Sequence, residues 1–260
     1  MRPNPLKPRL AAGGHAFGTM VFEFFTPGIA QICKAAGADF VLYDLEHSGA
    51  DLGELKAQFA ACRGIGIVPM VRVPQTQYHF IARMLDSGAM GIMVPMVDSV
   101  EQAREIVAAT RYPPLGKRGA GFAMAHDDYE PGDVKAKMQG AHDRTFTICQ
   151  IESPAGVAAA DAIAALDGVD CLWLGHFDLT NFMGIPGAFD DPRYRANVET
   201  IVAACKRHGK TPGFMAGDDA WAKDYLARGF RIMAYGVDSA IFRVGLQAGI
   251  AGMRKQVKTS

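Results

Sequence analysis

No apolar run in these 260 residues approaches the roughly 20 needed to cross a bilayer. Charge of one sign is not in excess either: Lys and Arg total 27, and Asp and Glu total 27. Nucleic acid and anionic membranes both call for a basic surplus, so neither is expected as a partner. Cysteine is sparse. Cys33, Cys62, Cys149, Cys171 and Cys205 are scattered, odd in number and without CxxC spacing. They read as reduced core thiols, not as a disulfide framework or a zinc site. Met1 to Leu10 is rich in Pro and Arg and lacks the apolar stretch of a secretory leader, so the expected compartment is the cytoplasm. Gly-x-Ser-x-Gly and the Walker loop do not occur, which removes support for a serine hydrolase or a P-loop NTPase. Gly119-Ala120-Gly121 lacks a third glycine and follows no strand, so it is a weak dinucleotide signal.

What the chain does have is a rhythm. Eight short apolar segments read as strands: Ala16–Met20, Phe40–Asp44, Val68–Val73, Gly91–Val94, Thr145–Ile151, Cys171–Gly175, Thr211–Ala216 and Phe230–Tyr235. Helical patterns alternate with them at Pro27–Ala36, Leu52–Cys62, Gln77–Asp86, Ser99–Thr110, Ala155–Leu166, Pro192–His208 and Ala220–Arg228. Ser99 and Gln102 are placed as N-cap and N3 of a capping box. Strands that are apolar on both faces belong to parallel sheets with helices around them. With 49% apolar residues and no linker or repeat, residues 1–260 are expected to form one α/β domain, a (β/α)8 TIM barrel. Two stretches break the rhythm. Arg111–Arg144 reads as a long Gly- and Pro-rich loop, and Ala248–Ser260 as a fraying tail.

Active sites of such barrels lie at the carboxyl ends of the strands. Two acids stand there, Glu152 and Asp178, with no His or Cys cluster nearby. That pair favours a hard, oxygen-loving divalent cation. Asp178 has a second reading as a helix N-cap or Asx-turn. Gln150 and Glu152 alternate about Ile151 and so share a face of their strand. The segment Asp44-Leu45-Glu46-His47 offers a general base, His47, with a carboxylate to orient it, or else a polar strand exit. Arg72 is placed to hold an oxyanion with its planar fork, or to pair with Glu46 or Asp44; the two roles are compatible. Asp86 sits unfavourably near a helix C-terminus, which suggests a partner such as His47 of the same or a neighbouring subunit, or a solvated surface position. No strand ends in lysine, so imine chemistry loses support against metal-assisted chemistry.

Taken together, the segments Asp44-Leu45-Glu46-His47, Val71-Arg72, Met84-Leu85-Asp86-Ser87-Gly88-Ala89, Gly91-Ile92-Met93-Val94-Pro95, Arg111 to Gly119, Gln150-Ile151-Glu152 and Asp178-Leu179 resemble the HpcH/HpaI family of class II, pyruvate-dependent aldolases. The likeness covers nearly the whole chain. It implies a (β/α)8 barrel, commonly with an exchanged C-terminal helix, in hexamers built as trimers of dimers. It implies Mg, Mn or Co held by Glu152 and Asp178. His47 would then be the base, working through water and polarised by Asp86, with Asp44 in support. Arg72 would hold the keto oxygen and the enolate, Gln150 would touch substrate, and the backbone at Phe177 and Asp178 would receive the substrate carboxylate.

The implied activity is reversible cleavage of a 4-hydroxy-2-oxo acid, such as a 2-keto-3-deoxy sugar acid, to pyruvate (or an analogue such as hydroxypyruvate) and an aldehyde. Two other readings stand beside it: a CoA-ester lyase of the citrate lyase β-subunit type, and a non-catalytic metal-binding barrel. The chain departs from the resemblance at His176, where many members have proline. The imidazole is expected to pack or to support a ligand by a hydrogen bond. The aldehyde pocket is expected to involve the Arg118–Asp133 loop, His176, Phe214 and Met215.

Overall fold

The computed structural model describes residues 1–258; Thr259 and Ser260 lie outside the described residues. Eight parallel strands close into a barrel in sequence order: β1 (Ala16–Val21), β2 (Phe40–Asp44), β3 (Val68–Arg72), β4 (Gly91–Val94), β5 (Phe146–Ile151), β6 (Cys171–Leu174), β7 (Thr211–Ala216) and β8 (Ile232–Val237), with β8 pairing back onto β1. The helices are α1 (Leu6–Ala11), α2 (Ile29–Ala35), α3 (Leu52–Ala61), α4 (Tyr78–Asp86), α5 (Val100–Thr110), α6 (Val134–Arg144), α7 (Pro154–Ala164), α8 (His176–Phe182), α9 (Pro192–Arg207), α10 (Asp219–Ala227) and α11 (Asp238–Lys258). None is long and apolar enough to cross a membrane.

Period-two alternation splits the apolar residues into two cores. Phe40, Leu42, Val68, Met70, Phe146, Ile148, Cys171 and Trp173 face inward and fill the barrel. Val41, Tyr43, Val71, Ile92, Cys149, Ile151 and Leu172 face outward and meet the helices. Continuing the inward row by one step brings Asp44, Arg72 and Gln150 to the carboxyl-end layer, with Glu152 above them. The fill is tight. A Cβ on Gly213 would lie 2.3 Å from Trp173 Cε3, so a glycine is what lets the indole lie across the barrel. At the amino end, α1 stoppers the barrel with Leu6 and Leu10, both fully buried. Burying each contributes roughly 1.5–3 kcal/mol. All five cysteines are free and buried.

Several expectations are corrected. The stretch Arg111–Arg144 is not one loop. It contains a 3-10 turn at Ala125–Asp127 and the whole of α6. Lys, Gly and Gln within α6 dilute its apolar period, while Asp133 caps it by accepting from the Ala136 N–H. The tail does not fray after Ala248, because α11 continues to Lys258. The short α1 and α8 had no sequence signature strong enough to mark them. The capping box at Ser99 forms in part: Ser99 Oγ accepts from the Gln102 N–H, but Gln102 Oε1 takes the Asp98 N–H.

Asp238 ties the closing strand to the opening one. Its buried carboxylate accepts from the Phe22, Glu23 and Phe24 N–H groups at 3.1, 3.0 and 2.7 Å. Asp238→Ala strands three amide donors and is expected to cost about 2–4 kcal/mol. Urea denaturation checks this; an unchanged midpoint and slope would show that the segment is held by other contacts.

Candidate active site

At the carboxyl end of β2, Asp44 is fully buried and has three partners. Its Oδ1 accepts from Arg72 Nε at 2.5 Å and from the Glu46 N–H at 3.3 Å, and its Oδ2 accepts from the His47 N–H at 2.7 Å. Arg72, directly across the β2–β3 register from Asp44, also contacts Glu46 through Nη1 at 3.0 Å and lies 5.5 Å from the Phe22 ring. Both ion pairs open to Arg72 in the sequence therefore form. The contacts run through Nε and Nη1. Glu46, open in the sequence as a partner for Arg72 and as a carboxylate beside His47, stands between Arg72 and the exposed His47 ring, 3.7 Å from Nε2. Burial pushes the Glu46 carboxyl up, against the pull of Arg72.

Glu152 follows β5 and is 1% exposed. Its Oε1 accepts from the Met96 N–H at 2.6 Å, and its Oε2 takes a short hydrogen bond from Gln150 Nε2. Met96 holds a left-handed backbone with φ of 53°, an uncommon conformation for a side chain of this kind. Burial pushes the Glu152 carboxyl up to about 7; Met96 and Gln150 oppose the rise, and the neighbouring Glu46 and Asp178 add to it. Asp178 is the third residue of α8, whose N-cap is Gly175, so the N-cap alternative is settled against. Its carboxylate has no hydrogen bond or ion pair with another described residue. Gly175 allows the close approach of the two segments, since a Cβ there would lie 2.3 Å from Glu152 Oε2. Phe177, beside Asp178, is exposed.

These features fit a divalent cation. Glu152 is held from water, the charges of Glu46 and Asp178 add to the rise of its carboxyl, and the buried Gln150 Oε1 has no partner among the described residues. All the available donors are oxygen. No group of three His, Cys, Asp or Glu side chains converges among the described residues, so water and substrate oxygens would complete the shell. Loading the site would drive the last proton from Glu152.

The structure does not bring Asp86 to this mouth. It ends α4, on the amino side of β4, about 15 Å of strand away from His47. Within the chain it pairs with Arg118 at 2.6 Å. The Arg118–Asp133 segment packs against the end of α3 and along α4, where Arg63 Nη2 donates to Ala125 O and Tyr78 OH accepts from the Gly119 N–H. Phe214 is fully buried rather than lining an open pocket. His176 is buried against four aromatic rings, and burial pushes its imidazole down to about 4. Met96, Gly175 and Glu46 were missed as site residues. A left-handed backbone after Pro95 has no sequence signature, whereas the Glu46 carboxylate was in plain view.

The HpcH/HpaI aldolase/citrate lyase family model matches residues 19–244. The chain belongs to the HpcH/HpaI aldolase/citrate lyase family. It is 35% identical over 235 residues to a hydroxypyruvate/pyruvate aldolase of Roseovarius nubinhibens, covering 90% of this chain and 91% of that one. It is 33% identical over 256 residues to a 2-keto-3-deoxy-L-rhamnonate aldolase of Salmonella gallinarum, covering 98% and 95%. The crystal structure of an HpcH/HpaI aldolase from Desulfitobacterium hafniense superimposes with a TM-score of 0.91 at 32% identity, covering 96% of each chain. The closed barrel seen here is thus shared with a solved HpcH/HpaI structure.

Gly175→Ala tests the packing of the carboxylate pair. The added methyl must displace Glu152, so Mn2+ affinity is expected to fall roughly 10–100-fold while the barrel stays folded. Calorimetric titration and circular dichroism check this, and unaltered affinity would show that Glu152 does not need its present position.

Proposed function

We propose that this chain is a divalent-metal-dependent class II aldolase. It cleaves 4-hydroxy-2-oxo acids, foremost 2-keto-3-deoxy sugar acids, to pyruvate or hydroxypyruvate and an aldehyde, and runs the reverse addition. The observation that carries this reading is the pairing of Glu152 and Asp178 opposite Arg72 at a strand-end mouth without a strand-end lysine. The aldolases at 35% and 33% identity support it. Cytoplasmic residence fits this chemistry.

Glu152 and Asp178 would hold Mg, Mn or Co. The cation supplies Lewis-acid polarisation of the 2-oxo group, the task an imine lysine performs elsewhere. Arg72 places positive charge where the C2 oxygen becomes an enolate. Asp44 fixes the guanidinium by its contact with Nε. Gln150 lines the substrate side of Glu152, and the backbone at Phe177 and Asp178 faces the substrate carboxylate. His47 accepts the C4 hydroxyl proton, directly or through one water. The C3–C4 bond then breaks, its electrons pass to the C2 oxygen, and the aldehyde departs. Protonation at C3 yields the keto acid.

Asp86 enters from a second copy. Since it cannot reach its own His47, a neighbouring subunit must present it if the two are to pair. An oligomer suits the surface as well. Ile241, Phe242, Val244, Leu246, Met253 and Val257 leave α11 exposed and apolar. An apolar cavity of about 580 Å3 beside its root, lined by Ile29, Ile32, Cys33 and Phe242, has room for apolar side chains of another copy. A hexamer of exchanged C-terminal helices is the arrangement proposed.

Pyruvate release from a panel of 4-hydroxy-2-oxo acids, before and after EDTA, tests the chemistry. Turnover is expected to vanish in EDTA and to return with Mn2+. Full turnover without metal sinks the mechanism, and cleavage of malyl-CoA alone would assign the chain to the CoA-ester lyases instead. Mixing inactive His47→Ala and Asp86→Asn proteins, after dissociation and reassembly, should restore part of the activity. No recovery in a mixed oligomer of confirmed mass would refute the shared site.

A further inference from the structure

We propose that His176 is a positioning residue: its ring, clamped among Phe189, Phe214 and Trp221, fixes the first turn of α8 and so aims the Asp178 carboxylate at Glu152. This inference rests on the reading of Asp178 as a cation ligand.

The argument begins with what α8 lacks. The helix has seven residues, and its N-cap, Gly175, provides no side-chain hydrogen bond. A helix of this length is not held by its own hydrogen bonds and depends on tertiary contacts. Its second turn has such contacts. Leu179 and Thr180 are fully buried, and Thr180 Oγ1 donates to Phe177 O at 2.8 Å and accepts from the Gly187 N–H at 3.1 Å. The first turn has fewer. Phe177 is 56% exposed and meets the Phe189 ring edge-on at 5.4 Å, Asp178 is half-buried without a hydrogen-bond partner among the described residues, and His176 is the one side chain of the turn buried in the core.

The ring meets four others, with centroids 4.5 Å from Phe177, 5.0 Å from Phe214, 5.1 Å from Trp221 and 5.6 Å from Phe189. Phe177 is its neighbour on α8; the other three come from β7, from α10 and from the segment before α9. One side chain therefore keys the start of α8 to three separate parts of the barrel wall. Edge-to-face and tilted contacts at these spacings are attractive and directional, so they fix the ring's orientation as well as its depth. No hydrogen bond links the imidazole to another side chain or backbone group among the described residues, and its contacts are ring to ring. On its other side the turn is tied to β5, where the Gly175 N–H donates to Ile151 O at 3.0 Å. If the His176 ring is removed, the first turn keeps that bond and the edge contact of Phe177 with Phe189 but loses every contact with Phe214 and Trp221, so Asp178 is held less firmly.

The test compares wild type, His176→Ala and His176→Phe. In metal-free protein, amide exchange over Phe177–Phe182 is expected to rise at least about tenfold in the Ala variant, with β5 and β6 unchanged. Mn2+ affinity, read by calorimetry or by electron paramagnetic resonance, should weaken about 10–100-fold in the Ala variant and stay within about threefold of wild type in the Phe variant. At saturating Mn2+ the Ala variant should lose in KM more than in kcat. Should Ala unfold the barrel, His176→Leu, which also removes the flat ring, takes its place. An Ala or Leu variant with wild-type exchange and affinity overturns the proposal. So does a folded Phe variant as weak as Ala, which would show that the ring nitrogens matter. Failure of the wild type itself to bind Mn2+ sinks the cation reading and this inference with it. Wild-type binding with the wrong variant pattern sinks the inference alone.

Discussion

A carboxylate that water cannot reach organises the mouth of this barrel. Asp44 is fully buried beside an Arg72 that is nearly so. Such a pair is expensive to desolvate and persists only when its remaining valences are satisfied. Here the Glu46 and His47 amides complete the shell. The chain leaving β2 must therefore fold back over Asp44, which sets Glu46 beside Arg72 and turns the His47 ring outward. The same constraint orients the guanidinium. The placement of Arg72 and the shape of the β2–α3 loop are thus one electrostatic solution.

The second acid pair meets the opposite condition. Glu152 is buried with two donors and two neighbouring negative charges, too little to make its ionised form comfortable. Asp44 has the Arg72 guanidinium beside it, whereas Glu152 has no cationic side chain among the neighbours that shift it. Two buried carboxylates at the same barrel mouth thus differ because one stands across the register from an arginine and the other is pushed up by burial and by the nearby charges of Glu46 and Asp178. Glycine at 175 and the strained Met96 let the strand ends come near enough for this to matter.

Much of this was legible in the sequence. All eight strands were placed within a residue or two because fully buried strands read as unbroken apolar runs, and the inward row carrying Asp44, Arg72, Gln150 and Glu152 follows from parity alone. The family resemblance rested on those same residues. What escaped had physical reasons. α6 is a polar surface helix with a faint period, and α8 is too short to show one. The left-handed Met96 is imposed by its surroundings, not by its own type. Asp86 was marked as an unfavourable carboxylate at a helix end, but which chain it serves depends on contacts that a single sequence does not encode.

The stopper at the amino end also couples distant parts of the chain. Leu6 and Leu10 fit a socket lined by strands around the ring, and Arg231 Nη1 donates to Leu10 O at 2.5 Å. Arg231 stands just ahead of β8, the strand that pairs back onto β1. The socket is complete only in the closed ring, so plug and seam form one cooperative unit, and loosening either one weakens the other.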